Sequence, residues 1–528
     1  MEASANLSGT SPRSEPVATP VRLSLRMLRA HQICDDFSGK IICLMLVLGP
    51  WAFGSTQLWA IWTLNGLSFL VASFFGAKLL IRRSTGYFPA RWGGSASGMP
   101  RENAGRTRLL NRILAWATVL LLAYCLASVL NARSTYHREI VSFEYFHFSP
   151  WLPNSHDRAS SIQAFFNYLA MALAFWALRD WLLGKSPNEE RAERGRLNEL
   201  RVAHSSVLPD RLCQLLWVLS VSGGLLALEG MVQRLSGTPN LLFVLPTYNN
   251  QAAEDQFGPY AYRSNAAQYF NLLWPVCLGF WWTLQRPASS HSASLVPAKS
   301  VRRKKNLILG SAILMAACPV ISTTRVGALV AVLQIVLASL VLLAASRRGI
   351  RRKGRKELVI FIAASLALAA FFGWGKLAPR FGSDDFHKGL NDRNNIYNMA
   401  RPMARDYPVF GTGPGTFESV FQLYRIDPDE FWPAQLHNDW LETRITFGCA
   451  GQVLILTAFF CVLSRWFIPT GIPSRPYFVM LIWLALAGCL FHARYDFPFQ
   501  VYSVIFLFFV LCAVLFSISD RISSSSPA

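Results

Sequence analysis

Acidic residues are scarce in this 528-residue chain: 30 Asp and Glu stand against 51 Lys and Arg, a formal net charge of +21. Charge of either sign is thin, at 15% of residues, while 52% are hydrophobic. An ordinary soluble domain would alternate apolar with polar positions, and here whole windows are apolar on every face. The ten cysteines form no Cys-x-x-Cys pair and lie mostly in apolar stretches, which argues against a disulfide scaffold or a zinc site. The first 30 residues, rich in Ser, Pro and Arg, lack the apolar core of a cleavable signal peptide. No internal repeat points to a transporter built from two inverted halves.

What is present is a series of apolar runs near the ~20 residues that span a bilayer. Twelve are expected at about 40–54, 58–80, 113–131, 162–183, 212–232, 266–284, 306–322, 326–345, 358–375, 447–468, 476–492 and 499–519. The expected fold is therefore all-α, a polytopic transmembrane helical bundle. Residues 1–39 read as a disordered basic cytoplasmic tail, 40–257 as the N-terminal transmembrane helices, 258–519 as a second membrane region, and 520–528 as a further cytoplasmic tail. With the N-terminus inside, more than two-thirds of the 51 basic residues face the cytoplasm. Runs such as "RRKK" (302–305) and "RRGIRRKGRKE" (347–357) then sit near anionic lipid headgroups, and no nucleic-acid partner is implied.

This topology leaves a large periplasmic loop, 376–446, between the ninth and tenth spans. It contains aromatic residues, charges of both signs and the turn-rich "YPVFGTGPGTF" (407–417), a composition that favours an ordered functional cap. Its glycines fit a tight turn better than a phosphate loop, because no Lys-Ser/Thr follows them. The loop closes on "QLHNDWLETRITFGCAG" (435–451). Asp439 as N-cap with Glu442 three residues on would merely start a helix. That leaves His437 unexplained, and on a helix it would share a face with Arg444. Arg325 occupies a short outer turn, Arg393, Arg401 and Arg405 line one stretch of the loop with Pro402 in its middle, Arg263 opens the sixth span, and His492, Arg494 and Asp496 fill the last outer turn.

All of these lie on one expected face. Arginines match a diphosphate through bidentate hydrogen bonding, and a histidine beside them can take a proton near neutral pH. Together they suit displacement of a diphosphate by a hydroxyl. No acidic cluster with metal spacing stands out.

The order "TTRVGAL", "DRNNIYNMA…DYPVFGTGPGTF", "LHNDWLETRITFGCAG" and "HARYDFPFQ" resembles the O-antigen ligase and polymerase superfamily over residues 258–515. Those are polytopic glycosyltransferases of the bacterial inner membrane. The resemblance implies transfer of a glycan from undecaprenyl diphosphate to a lipid or glycan acceptor on the periplasmic face, with no cofactor or metal. It implies His437 as the base and Arg325 and Arg393 as diphosphate ligands, with Arg263, Arg401, Asn438 and Asp496 as secondary candidates. Val326 and Thr446-Phe447 depart from the usual pattern without removing the arginine or the histidine.

Within the family, a ligase with a lipid A-core type acceptor is the first reading and a polymerase the second. A membrane transporter would instead place ionisable groups at mid-span, for which Glu229 is the one candidate.

Overall fold

The computed structural model describes residues 25–91, 101–191, 208–247, 252–285, 298–345, 354–426, 434–464 and 475–518. Each of the twelve expected apolar runs overlaps a helix among the described residues. In chain order these are α1 (Leu25–Trp51), α2 (Leu58–Thr85), α3 (Arg101–Leu130), α4 (Arg158–Leu183), α5 (Asp210–Ser236), α6 (Arg263–Thr283), α7 (Ala298–Ile321), α8 (Arg325–Ala345) and α9 (Gly354–Ala369). Then follow α10 (Ser383–Asp406), the short α11 (Phe417–Phe421), α12 (Asp439–Ser464), α13 (Arg475–His492) and α14 (Tyr502–Ile518). Two antiparallel hairpins interrupt the helices, β1 (Ser134–His137) with β2 (Ser142–Tyr145), and β3 (Asn240–Leu241) with β4 (Leu245–Pro246).

Among the described residues, eight helices are long and apolar enough to cross a membrane, and α13 and α14 are shorter apolar helices. The two remaining runs lie in α1 and α6. The start of α1 is polar, "LRMLRAHQICDD". It corrects one expectation: residues 25–39, read as tail, are helical. The tail residues 1–24 and 520–528 lie outside the described residues, as do residues 347–353 of the basic run 347–357.

α6 carries polar side chains because it is the central helix. Every residue from Ser264 to Thr283 is buried, including Trp274 and Trp281. It packs against α7, α13 and α8. Lipid is as apolar as a leucine side chain, so close packing decides which helices meet. Gly224 lets α5 approach α7 until a Cβ there would press on Ser311.

The segment between α9 and α12 is ordered wherever it is described. α9 runs on through a π-helical turn, Ala370–Trp374, to Phe381. α10 continues through Pro402 and stops at Asp406, two residues before Pro408. Its Tyr397, Ala400 and Met403 share one face and form a small core with Phe417, Val420, Phe421, Leu436 and Ile445.

The glycine-rich stretch is a structural turn, as its sequence suggested. Gly411, Gly413 and Gly415 all have positive φ, at 66°, 108° and 76°. The amides of Thr412 and Gly413 donate to the carbonyls of Ile445 and Thr446 at 2.9 and 3.0 Å. This pairing is possible because α12 breaks at Gly448, where φ is 57° and ψ −167°. That backbone region is open essentially to glycine alone. His156, ahead of α4, seals the other side by donating its amide to the Thr412 carbonyl at 2.9 Å. Burial first, then the charge of Arg133, lowers the pKa of His156 to about 4, so its ring is neutral.

Candidate functional site

His437 stands in the strap that leads into α12, and not on the helix. Its φ is 55°, in the left-handed region, so it does not share a helical face with Arg444. Arg444 instead donates to the carbonyl of Pro408 at 2.8 Å. Three contacts fix the strap. Tyr397 of α10 donates its hydroxyl to the His437 carbonyl at 2.8 Å. The carboxylate of Glu442 accepts the amide of Leu436 at 2.9 Å. The side chain of Asn438 accepts the amide of Leu441 at 3.2 Å.

Asn438 is therefore the N-cap of α12, one residue earlier than expected, and its side chain is used in starting the helix. Asp439 is buried and accepts the amide of Phe499 at 2.7 Å and the side chain of Gln500 at 3.4 Å. Both acids serve the fold by joining the strap and the 498–500 turn to the top of α12.

The His437 ring meets Asp496 from the turn after α13. Nδ1 lies 3.0 Å from Oδ1, with the histidine side chain 29% exposed and the aspartate 3%. Phe497 and Tyr262 wall the ring, with centroids 4.8 and 6.0 Å away, both edge-on. Burial alone would raise the pKa of Asp496. The hydrogen bond and charge of His437, with Arg393 and His492, overcome it and bring the carboxyl to about 2. An ionised carboxylate only accepts, so Nδ1 carries the proton and Nε2 is left with the lone pair. A partly exposed imidazole held in this tautomer is arranged to take a proton at Nε2.

One arginine stands beside this pair, and two more lie further along the same face. Arg393 donates to the Tyr495 carbonyl at 2.8 Å, one residue from Asp496. Burial works against its charge, but Asp496 and Tyr262 outweigh that and raise its pKa. Arg325 opens α8 and donates to the Arg380 carbonyl at 3.5 Å, while Arg380 donates to the Thr323 carbonyl at 3.0 Å. Tyr262 lies within electrostatic reach of Asp496, Arg393, Arg263 and Arg380, and burial raises its pKa.

Two other candidates are directed elsewhere. Arg263 turns to Asp255 at 3.1 Å and to the Glu254 carbonyl at 2.8 Å. Arg401 is exposed on α10, two turns beyond Arg393, and bonds Asn398 at 3.2 Å. Residues not singled out beforehand also contribute: Tyr262, Tyr397 and Arg380. For Arg380 a signal existed, a lone arginine in "LAPRFG" just past an apolar run. Among the described residues, no group of three or more His, Cys, Asp and Glu could hold a metal ion.

Comparison with curated proteins finds no match. Residues 310–456 match the family model described as O-antigen ligase. The matched region contains Arg325, Arg393 and His437, and stops short of Asp496. This match supports a place for the chain in the O-antigen ligase superfamily.

Proposed function

We propose that the chain is a glycosyltransferase that moves a glycan from undecaprenyl diphosphate to a hydroxyl of a lipid acceptor of the lipid A-core type. The reaction takes place on the periplasmic face of the bacterial inner membrane. The observation that carries this reading is the 3.0 Å contact of His437 Nδ1 with Asp496, a carboxylate that also feels the charge of Arg393.

In the step envisaged, the acceptor hydroxyl loses its proton to His437 Nε2 while its oxygen attacks the anomeric carbon of the glycan. The bond from that carbon to the diphosphate oxygen breaks, and undecaprenyl diphosphate leaves with the electron pair. Arg325 and Arg393 stabilise the charge that develops on the leaving group, a task guanidinium forks perform in place of a metal. Arg393 has donors to spare beyond its bonds to the Tyr495 carbonyl and Tyr262.

The test is glycan transfer in vesicles with lipid-linked donor and acceptor and with EDTA present, comparing wild type with His437→Ala at matched folded protein. Product from wild type alone supports the reading, and equal product from both refutes it. Exchanging the acceptor for a second lipid-linked repeat separates a ligase from a polymerase. Glu229 supports a transporter as second reading: both its carboxylate oxygens are buried in α5 without a hydrogen-bond partner. Loss of phenotype in Glu229→Gln, with His437→Ala intact, would favour it.

A further inference from the structure

Asp496 has two oxygens, and they face different partners. Oδ1 meets Nδ1 of His437 at 3.0 Å and the amide of Phe497 at 3.1 Å. Oδ2 turns inward to the hydroxyl of Ser264 in the first turn of α6. Nε2 of His492, the last residue of α13, lies 3.9 Å from the same oxygen. Behind them, Ser264 Oγ is 3.5 Å from both His492 Nε2 and Gln268 Nε2. Asp496, Ser264, His492 and Gln268 are all at most 4% exposed.

Hydrogen-bond arithmetic fixes the direction of each contact. Ionised Asp496 has no proton to give, so Ser264 donates its only one to Oδ2. Its oxygen then faces Gln268 and His492 as an acceptor. His492 Nδ1 has no hydrogen-bond partner, which fits a neutral ring whose N–H sits on Nε2 and points at Ser264. Donors thus run from α6 and α13 toward Ser264, from Ser264 to Oδ2, and from His437 to Oδ1.

We propose that Ser264, backed by His492 and Gln268, is a positioning residue for His437: it holds the inner oxygen of Asp496 and divides the carboxylate charge between the core and the imidazole. Its part in catalysis rests on the reading of His437 as base, whereas the hydrogen bonding does not. Removing the Ser264 hydroxyl concentrates the negative charge on Oδ1, which then holds the protonated imidazole more tightly. The other charged and titratable groups facing the pair are Arg393 and Tyr397 on α10, Tyr262 ahead of α6, His492 on α13 and Asp439 on α12. A Ser264 substitution leaves all of them in place.

The experiment follows modification of His437 by diethyl pyrocarbonate across about pH 5 to 9, the range in which imidazoles titrate. The full chain is used in lipid nanodiscs, with peptide mass spectrometry as the readout, so neither donor nor acceptor is required. In Ser264→Ala the pH of half-maximal modification should rise by about 0.5 relative to wild type. In Ser264→Thr, which keeps the hydroxyl, it should stay at the wild-type value. An unmoved or lowered midpoint in Ser264→Ala overturns the proposal, as does an equal shift in Ser264→Thr. Should Ser264→Ala not fold, Ser264→Cys, a weaker donor of similar size, must raise the midpoint, and its failure to do so is equally decisive. If the midpoint rises as expected while wild type transfers no glycan, the transferase reading fails and the positioning of His437 by Ser264 stands.

Discussion

Replacing Asp496 by Asn preserves size and removes charge, and its effect follows from the hydrogen bonds around it. With the carboxyl at about 2, against an ordinary value of 3.8, the charged form is favoured by roughly 2 kcal/mol. Because that pKa is depressed in the folded protein, the stabilisation is present above about pH 4 and is lost as pH falls toward 2. Near neutral pH the carboxylate is fully ionised. An amide at position 496 would keep its oxygen toward the Phe497 amide, an N–H that can only donate, and turn its NH2 toward Ser264, whose hydroxyl can also accept. Nδ1 of His437 would still donate to that oxygen, and what is lost is the negative charge that stabilises the imidazolium formed when Nε2 takes a proton. The expected result is a kcat lower by roughly 10²-fold, the low end of what a positioned general base contributes. Donor KM should change by less than about threefold, since Arg325 and Arg393 remain to bind diphosphate. The assay is lipid-linked glycan transfer with the two proteins at matched folded concentration. A variant retaining more than about one-fifth of wild-type kcat would refute the charge argument. A loss confined to KM would move Asp496 from base orientation to donor binding.

Alanine at Arg325 or Arg393 should raise donor KM and lower kcat/KM by about tenfold or more, with lysine restoring little if the diphosphate is held bidentately; near-normal turnover in both lysine variants would make these arginines structural. Tyr397→Phe deletes the hydroxyl that holds the His437 carbonyl and should cost about 1 kcal/mol of stability, with kcat reduced several-fold at unchanged donor KM. Unaltered melting and turnover would show that the strap holds itself. Gly448→Ala forces a Cβ against the Val409 carbonyl at φ 57° and should lower the yield of folded protein and thermal stability by about 3 kcal/mol or more, measured by detergent melting; wild-type melting would refute the requirement for glycine.

The helices were legible because a bilayer-length apolar run leaves a backbone few other ways to bond itself. Their ends were less so. α1 starts at Leu25 within a polar stretch, where residues of α2 and α5 supply partners: Asp35 pairs with Lys78 at 2.9 Å and with Arg211 at 2.6 Å. Such long-range pairs leave no local periodicity to read. At the site, residue type was legible and direction was not. Arg263, Arg393 and Arg401 are chemically identical in a sequence. One turns to Asp255, one stands by Asp496, and one lies on a solvent-facing helix surface. Asp496 comes 59 positions after His437 and reaches it only because α12 and α13 bring the strap and the last turn together. The N-cap was misplaced by one residue for a local reason: His437 in the left-handed region turns the chain early, so Asn438 takes the cap and Asp439 enters the helix.

That left-handed residue also explains why a glycine motif so far from any chemistry belongs to the same site. Holding a histidine at φ 55° costs about 1–2 kcal/mol, so the surroundings must impose it. The Tyr397 hydroxyl does so from α10. α10 in turn is held by its core contacts to Phe417, Phe421 and Ile445, and by the turn that follows it. That turn lies where it does because Gly448 opens α12 to the backbone of residues 408–413, with Cys449 and Ala450 donating to the carbonyls of Pro408 and Val409 at 3.0 Å each. A helix without the break would offer no free carbonyls at Ile445 and Thr446 for Thr412 and Gly413 to use. The glycines therefore act on His437 through α10 and Tyr397, which makes them determinants of where its ring points.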